Sequence, residues 1–341
     1  MPSHIPHRVH ARRLLPALLA GLAISFAFIA FFTSALRDPQ PNGVAVAVVG
    51  PPSSARALQR GLDQALPGGF GLRRYAGEAD ARRALTEQDV DGVYVVGARP
   101  RLLVASGAGA STTNALRTAF GAAAGAQSRS LAVADAAPLP QHDSRGLSAF
   151  FLVAGISIGS LVFAAGLFFL GGHAHPVPLR LKLALIGAFA TAAGLVVAID
   201  TDFVAGGLVG AFWGVAGIAA LLAAAVALIT TAVVRWFGLP GIGLCVLTLM
   251  IFSLPASGGA VGPEFVPDFY RDIAPILPSH AALLALRGTV YFHGGGTTAP
   301  ILVLLAWAAG AVTAIIAAHA LRREPPRLPV LGVISGPDLP S

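Results

Sequence analysis

Six long apolar runs dominate the pattern of hydrophobic and polar positions along the chain. Most of them reach the ~17–25 residues that a helix needs to cross the ~30 Å hydrocarbon core of a bilayer. The pattern therefore predicts a polytopic α-helical membrane protein with six transmembrane helices. The predicted spans are residues 14–36, 147–170, 183–199, 207–234, 237–254 and 299–321.

Residues 37–146, between the first and second runs, follow a different pattern. Short β-branched stretches alternate with segments whose apolar residues recur at helical spacing, which is typical of a small α/β domain. We predict strands at 44–49, 72–75, 93–96 and 102–105, and helices at 53–66, 79–85 and 113–124. The Pro- and Ala-rich stretch 132–142 is predicted to connect the domain back to the membrane.

The first apolar run allows two interpretations. Basic residues precede it, Arg12 and Arg13 among them, as in the n-region of a signal peptide. However, the run exceeds the ~7–15 residues of a signal-peptide core, and no clean small-x-small cleavage site precedes Arg37. We expect an uncleaved anchor with a cytoplasmic segment, residues 1–13, before it.

Composition supports the membrane assignment. Hydrophobic residues make up 55% of the chain and charged residues 11%, and the mean hydropathy is +0.74. Soluble globular proteins carry about 25% charged residues. The net charge of +7 does not indicate a nucleic-acid partner, because the basic residues are scattered over loop ends and the α/β domain without a dense basic stripe.

The distribution of arginine and lysine near the predicted helix ends sets the orientation. It favours cytoplasmic termini, including a cytoplasmic tail at 322–341, and an extracytoplasmic α/β domain. The short outer loop after the third predicted helix has Asp200 and Asp202 and no basic residue, in agreement with this orientation.

A long outer loop, residues 255–298, precedes the last predicted helix. Residues 279–292 have apolar helical spacing behind Ser279 as an N-cap, which predicts a short helix that dips into the interface. The charged group Glu264, Asp268, Arg271 and Asp272 is interpreted as a solvated loop surface, with a role at a transport exit as the alternative.

Enzymatic chemistry finds no support in the sequence. Lys182 is the only lysine, and its surroundings lack the glycines and hydroxyl residue of a P-loop. Cys245 lies in an apolar run and is interpreted as a small buried hydrophobe. His173 and His175 are interpreted as solvated loop residues rather than as a metal site. His142, Asp143 and Ser144 are adjacent in sequence and cannot form a hydrolase triad, whose groups must converge in space. We therefore expect no catalytic cluster, no metal and no cofactor.

The predicted spans contain no Asp, Glu, Lys or Arg away from their ends, so a proton or sodium relay has no obvious carrier. Small residues at four-residue spacing let helices approach closely. We expect such a packing role, within one chain or between subunits, for Gly155, Gly159, Gly206, Gly210 and Gly214.

Residues 142–163, where the domain re-enters the membrane, and residues 266–292, before the last helix, carry a resemblance to a known family. Together with the order of parts, they resemble the ABC-2 type permeases, most closely their YhgE/Pip-like branch. The α/β domain is much shorter than in the larger Pip-type members. The resemblance implies the permease subunit of an exporter in a bacterial cell membrane, with a separate P-loop ATPase and a second permease copy or a related subunit as partners.

The resemblance also implies site residues and a substrate class. ATPase coupling would involve Arg12, Arg13, Arg180 and Lys182, although the same cations could instead only fix topology and contact anionic lipid. The substrate would be amphipathic or lipid-like. The outer-loop transport or gating residues would be Asp268, Phe269, Tyr270, Arg271, Pro278 and Arg287. The alternative is a non-transporting surface or secretion-apparatus protein that uses its outer domain for docking, and a membrane enzyme is a third hypothesis.

Overall fold

The computed structural model describes residues 11–37, 39–170 and 177–321. Five of its helices are long and apolar enough to cross a membrane, and the chain is a multi-pass helical membrane protein that also contains a small α/β domain. These helices are α1 (Ala11–Leu36), α5 (Ser148–Leu170), α6 (Leu179–Ile199), α7 (Phe212–Phe237) and α12 (Thr298–Leu321).

The span predicted at 237–254 is shorter and less regular than the other five. It forms α8 (Pro240–Cys245), a π-helical segment (Val246–Phe252) and α9 (Ser253–Ala256), which together make one apolar helix, Pro240–Ala256. At 1.5 Å per residue this helix is roughly 25 Å long, less than the ~30 Å hydrocarbon core. The structure therefore supports five spans by length and a sixth apolar helix below that length.

Helix α7 lies at the centre of the helical bundle. Of its most apolar window, 67% of the residues are buried, against 39% or less in the other four long helices. Small side chains allow this packing: the position of a Cβ at Gly194 in α6 would lie 2.9 Å from the Cβ of Ala220 in α7. Aliphatic and alanine side chains thus bury α7 on all sides, as expected of a core helix.

The start of α7 corrects the predicted span 207–234. Residues before Phe212 form a loop in which Gly206 and Gly210 have φ of +63° and +90°. These left-handed conformations favour glycine and end helical geometry. Gly206 and Gly210 therefore lie in turns and cannot form the predicted helix-packing face.

The α/β domain contains a single five-stranded sheet. Strand order is β2-β1-β3-β4-β5, with β1 parallel to β2 and β3, β4 antiparallel to β3, and β5 parallel to β4. The strands are β1 (Val44–Val49), β2 (Phe70–Tyr75), β3 (Gly92–Val95), β4 (Arg101–Val104) and β5 (Ala132–Asp135). The domain helices are α2 (Pro52–Ala65), α3 (Glu78–Thr86) and α4 (Ala110–Gly125).

Alternation along β1 divides the domain core between the two faces of the sheet. Val46 and Val48 pack with α2 and α4 on one face. Ala47 packs with α3 on the other face, where Phe292, from the segment before α12, completes the core. The domain is thus covered on one face by its own helices and on the other partly by the membrane portion of the chain.

Strand β5 is the element that the sequence pattern misses. It lies within the predicted connector 132–142, and its first three residues are exposed. Without buried alternating side chains it has no hydrophobic signature, and only pairing with β4 defines it.

Candidate functional site at the membrane boundary

The predicted outer loop 255–298 is largely helical. Helix α10 (Asp268–Ile273), a 3-10 turn (Ala274–Ile276) and α11 (Pro278–Tyr291) form two arms with a 75° bend between them. We call residues 268–291 the bent hairpin. The prediction of a helix at 279–292 is confirmed, but Ser279 is not its N-cap: Leu277 occupies that position, and the buried Ser279 hydroxyl accepts a hydrogen bond from Ser253 Oγ at 2.8 Å.

Contacts at its ends and tip indicate that the hairpin enters the bundle and returns. Asp268, at its start, and Tyr291, at its end, both contact the α/β domain. At the tip, the Ile276 carbonyl accepts a 2.7 Å hydrogen bond from Trp307 Nε1. Trp307 is the tenth residue of α12, roughly 14 Å from the start of that helix. Both ends of the hairpin therefore lie on the domain side of the bundle, and its tip contacts α12.

The first arm connects α1 to the domain. The Tyr270 hydroxyl donates to Phe31 O in α1 at 3.2 Å and lies 2.9 Å from the Ser34 hydroxyl. On the domain side, Asn42 Nδ2 donates to Asp268 Oδ1 at 2.8 Å, and Arg271 donates to the Asn42 carbonyl at 2.8 Å. These bonds hold the arm between α1 and the chain that enters β1.

The second arm packs directly on the domain. The ring of Tyr291 lies so close to Gly107 that a Cβ at Gly107 would be 2.7 Å from Tyr291 Cβ. Beyond the arm, Phe292 is buried in the domain core, and Gln88 Nε2 donates to Gly295 O at 3.0 Å. The second arm and the domain therefore share one packed interface.

A buried arginine lies in the second arm. Arg287 is 3% exposed, and among the described residues its one hydrogen bond, to Gly259 O, is 3.5 Å long. The carboxylates of Glu264 and Asp143 act on it electrostatically. In the described part of the chain, none of the five ion pairs includes Arg287. A guanidinium has five N–H donors, so this cation is incompletely paired within the protein.

Two partly buried carboxyl groups, Glu264 beside the hairpin and Asp91 in the domain, interact electrostatically. Glu264 accepts a 3.1 Å hydrogen bond from the Thr112 hydroxyl at the start of α4, and burial raises the pKa of its carboxyl group. Asp91 accepts a 2.8 Å hydrogen bond from Ala45 N–H. Burial, and then the charge of Glu264, raise the pKa of Asp91 from 3.8 to about 8. This pair corrects the interpretation of Glu264 as part of a solvated surface.

Asp143 and His280 form hydrogen bonds next to the charged residues Arg287, Glu264 and Asp91. Asp143 accepts hydrogen bonds from Leu147 N–H at 2.9 Å and Ser148 N–H at 3.0 Å, which caps the start of α5. The buried His280 ring lies 2.9 Å from Ser257 O through its Nδ1 atom. The Asp143 carboxylate is therefore engaged as a helix cap.

The predicted site residues occupy different parts of the fold. Asp268, Phe269, Tyr270 and Arg271 lie in the first arm, and Pro278 and Arg287 lie in the second. Sequence reasoning missed Asp91, Gln88 and Thr112, because nothing in the sequence relates the domain to a segment more than 150 residues away.

The residues predicted to couple to an ATPase lie at the opposite end of the bundle. Arg180 is exposed and Lys182 half-buried in the first turn of α6, and Lys182 is close to Arg235 at the end of α7. Arg12 and Arg13 belong to the first turn of α1, and their side chains lie outside the described residues. Residues 171–176, with His173 and His175, and the tail 322–341 also lie outside them.

The three predicted packing glycines that lie in helices differ in their surroundings. A side chain at Gly214 would collide with Thr289 of the second arm, so α7 and the hairpin approach closely there. Around Gly155 and Gly159 in α5, no heavy atom lies within 4 Å of an added Cβ. These two glycines therefore form no close packing face with the described residues. Cys245 is buried and free, as predicted.

Comparisons with protein families, curated proteins and solved structures find no match to this chain. No group of three or more His, Cys, Asp or Glu side chains suited to a metal ion occurs among the described residues. The candidate site therefore rests on the geometry of the hairpin and the domain.

Proposed function

We propose that the chain is the membrane-spanning permease subunit of an ABC-type exporter in a bacterial cell membrane, energised by a separate ATPase. One observation carries the proposal: in the five described spans, charged side chains occur only near the ends. Without an ionisable group inside the spans, coupling to an ion gradient has no carrier, which favours a partner as the source of energy for transport. The α/β domain and the bent hairpin then form the extracytoplasmic exit.

An apolar cavity supports an amphipathic or lipid-like substrate. It has a volume of about 520 Å³ and lies between α7 and α12 beneath the hairpin tip. Ile229 and Val233 line it from α7, Gly310 lines it from α12, and Ile276 contributes from the tip. A hydrocarbon group of the substrate would fit this lining, whereas a charged group would lose its hydration there.

The single lysine makes the ATPase contact testable. Within residues 1–341 the side-chain amine of Lys182 is the only one that an amine-reactive cross-linker can use. We expect it to capture a P-loop ATPase on native membranes, and Lys182→Arg, which keeps the charge, to remove that product. Changing the partner's P-loop lysine to alanine should abolish ATP-dependent movement of a fluorescent lipid analogue in vesicles containing both proteins. Full activity in a strain without any such ATPase would overturn the proposal.

The orientation has its own test. Because Cys245 is buried, a Cys245→Ser background permits single cysteines to be introduced at exposed sites. We expect Arg74→Cys in the domain to react with a membrane-impermeant maleimide in intact cells, and Arg180→Cys to react only after the cells are opened. The reverse pattern would place the domain in the cytoplasm and contradict an extracytoplasmic exit.

The second candidate is a docking protein that moves nothing. It is favoured by the fixed attachment of the domain to the hairpin, which would hold a binding surface at a set distance from the membrane. Under this alternative, Arg180→Gln and Lys182→Gln leave the cellular phenotype unchanged. Under the exporter proposal, a variant that combines Arg180→Gln with Lys182→Gln should lower transport.

A further inference from the structure

The α/β domain has a second end, opposite the hairpin. Asn42 and Asp91, which lie just before β1 and β3, form contacts on the hairpin side. Because β1, β2 and β3 are parallel, their carboxyl ends lie at the opposite edge of the sheet. In this chain that edge is turned away from the bundle.

A pocket of about 300 Å³ opens at this edge, between α2 and the strands β1 and β2. Val48 and Leu72 from the sheet and Ala55 from α2 give it an apolar floor, and Arg56 and Arg74 add two guanidinium groups. The volume is at the lower end of the range of small-molecule sites, roughly 300–1,000 Å³.

The wall between the helix and the sheet is fixed by Gln59. Its amide nitrogen donates to Asp63 Oδ1 at 2.9 Å and to Phe70 O at 3.0 Å, and its oxygen accepts from Leu72 N–H at 3.1 Å. Gln59 thus ties α2 to β2 with its own hydrogen-bonding groups already used. The pocket is held open by the structure and does not depend on a ligand to form.

The two arginines differ from others in the domain. Arg82 and Arg101 both pair with Glu78 at 2.8 Å and 2.5 Å, and Arg73 donates to Asp89 O at 3.2 Å. In the part of the domain that the structure describes, neither Arg56 nor Arg74 forms an ion pair. Their positive charges are therefore available to a ligand.

Alternation along β2 explains how a cation comes to lie beside the apolar floor. Phe70, Leu72 and Arg74 point to the same face of the sheet, the face that α2 covers. Arg74 thus extends an apolar row with a charged group at the open end of the crevice. Edge strands also use such inward charges to prevent pairing with other chains, and the experiment below separates the two roles.

We propose that this pocket binds a small anion that carries an apolar group next to a phosphate or carboxylate. Arg56 and Arg74 bind the anionic group with charge-assisted hydrogen bonds. The floor formed by Val48, Leu72 and Ala55 takes the apolar group. The pocket is remote from the hairpin, so binding there is independent of whether the chain transports.

The test uses the full chain purified in dodecyl maltoside, a detergent without phosphate, and isothermal titration. Phenyl phosphate and benzoate are the anionic probes, inorganic phosphate lacks the apolar group, and benzyl alcohol lacks the charge. We expect one or both anionic probes to bind, inorganic phosphate to bind more weakly and benzyl alcohol not to bind. A preference between phenyl phosphate and benzoate identifies the anionic group.

Variants locate the binding. Arg56→Gln and Arg74→Gln should each lower the affinity about tenfold, the loss expected when one charge-assisted hydrogen bond is removed. Arg60→Gln is the matched control, since Arg60 is exposed one turn further along α2 and does not line the pocket. Ala55→Phe should block binding by filling the apolar floor while both arginines remain.

Three results would overturn the proposal. The first is the absence of binding by either anionic probe at millimolar concentration, which would leave Arg74 only a protective role at the sheet edge. The second is equal loss of affinity in Arg60→Gln, which would indicate general attraction to a basic surface. Equal affinity for phenyl phosphate and inorganic phosphate is the third, because it would exclude a role for the apolar floor. Unchanged melting temperatures of the variants would show that each remains folded.

Discussion

The two arms of the bent hairpin are adjacent in sequence and each contains an arginine, yet the environments of their charged residues differ. In the first arm, the side chain of Asp268 is 67% exposed and pairs with Arg271 at 2.6 Å. In the second arm, Arg287 is 3% exposed and is not among the ion-paired residues of the described chain. The first arm therefore carries its charges at the surface, and the second carries a cation into the protein interior.

This difference shows which polar residues merit a functional test. Exposed ion pairs contribute about 0–1 kcal/mol to stability and tolerate substitution. A buried charge is more sensitive, because removing it leaves the opposite charges around it in the protein interior without compensation. In this chain the buried Arg287 and the partly buried carboxyl groups of Glu264 and Asp91 lie where the hairpin contacts the domain, and that contact is the part of the candidate site most sensitive to change.

The largest effect is expected for Arg287→Ala. Removal of the guanidinium leaves the nearby carboxylates without their cation and should destabilise the protein by about 3–5 kcal/mol. The melting temperature of the purified chain measures this loss. Arg287→Lys keeps the charge and should lose less. If Arg287→Ala melts at the wild-type temperature, the buried cation has no structural role in this arm.

Gly107→Ala should weaken the contact between the second arm and the domain. The new Cβ would collide with Tyr291, and overpacking of this kind costs about 1–3 kcal/mol. Gly121→Ala in α4 is the matched control, because no heavy atom lies within 4 Å of the added Cβ there. The control should be neutral or slightly stabilising in the same melting experiment. Equal melting temperatures for both variants would contradict a tight interface at Gly107.

Asp91 should make the stability of this contact depend on pH. Its pKa is raised from 3.8 to about 8, so between these values the folded chain binds more protons than the unfolded chain. Stability should therefore fall as pH rises from about 4 to 8, by on the order of 1 kcal/mol or more.

Melting temperatures at pH 5 and pH 8 test this dependence. Asp91→Asn retains an acceptor for Ala45 N–H and should remove much of the decrease at pH 8. Asp80→Asn, on the exposed side of α3, should leave the decrease unchanged. A wild-type protein that becomes more stable at pH 8 would reverse the sign and contradict the assignment.

Asp268→Ala should have the smallest effect. The exposed pair with Arg271 and the bond from Asn42 are worth together about 0.2–1 kcal/mol. A loss as large as that of Arg287→Ala, measured in the same way, would remove the distinction between the two arms.

The sequence predicts the regular parts of the fold. Four of the five strands and the three domain helices lie within a few residues of their predicted positions, because the apolar periodicity of each segment reflects its burial. Errors occur where that link fails: β5 is exposed, and the loop at Gly206 and Gly210 is apolar without being helical. The span at 237–254 is apolar but shorter than the bilayer requires.

The candidate site is less predictable, for a different reason. Arg287 and Glu264 were visible as charged residues of a loop, but their burial depends on the hairpin folding back into the bundle. Asp91 becomes relevant only through Glu264, 173 residues later in the chain. Contacts between residues so far apart in the chain leave no periodic pattern of apolar residues. A single sequence therefore shows which charged residues are present but not which of them lie together.

The burial of Phe292 in the domain core has a consequence for biosynthesis. The rest of that core is translated by Ala137, so the ribosome must add 155 further residues before Phe292 is available. At ~5–20 residues per second this takes roughly 8–30 s. During that interval one face of the nascent domain exposes apolar surface, which makes it a client for chaperones on its side of the membrane.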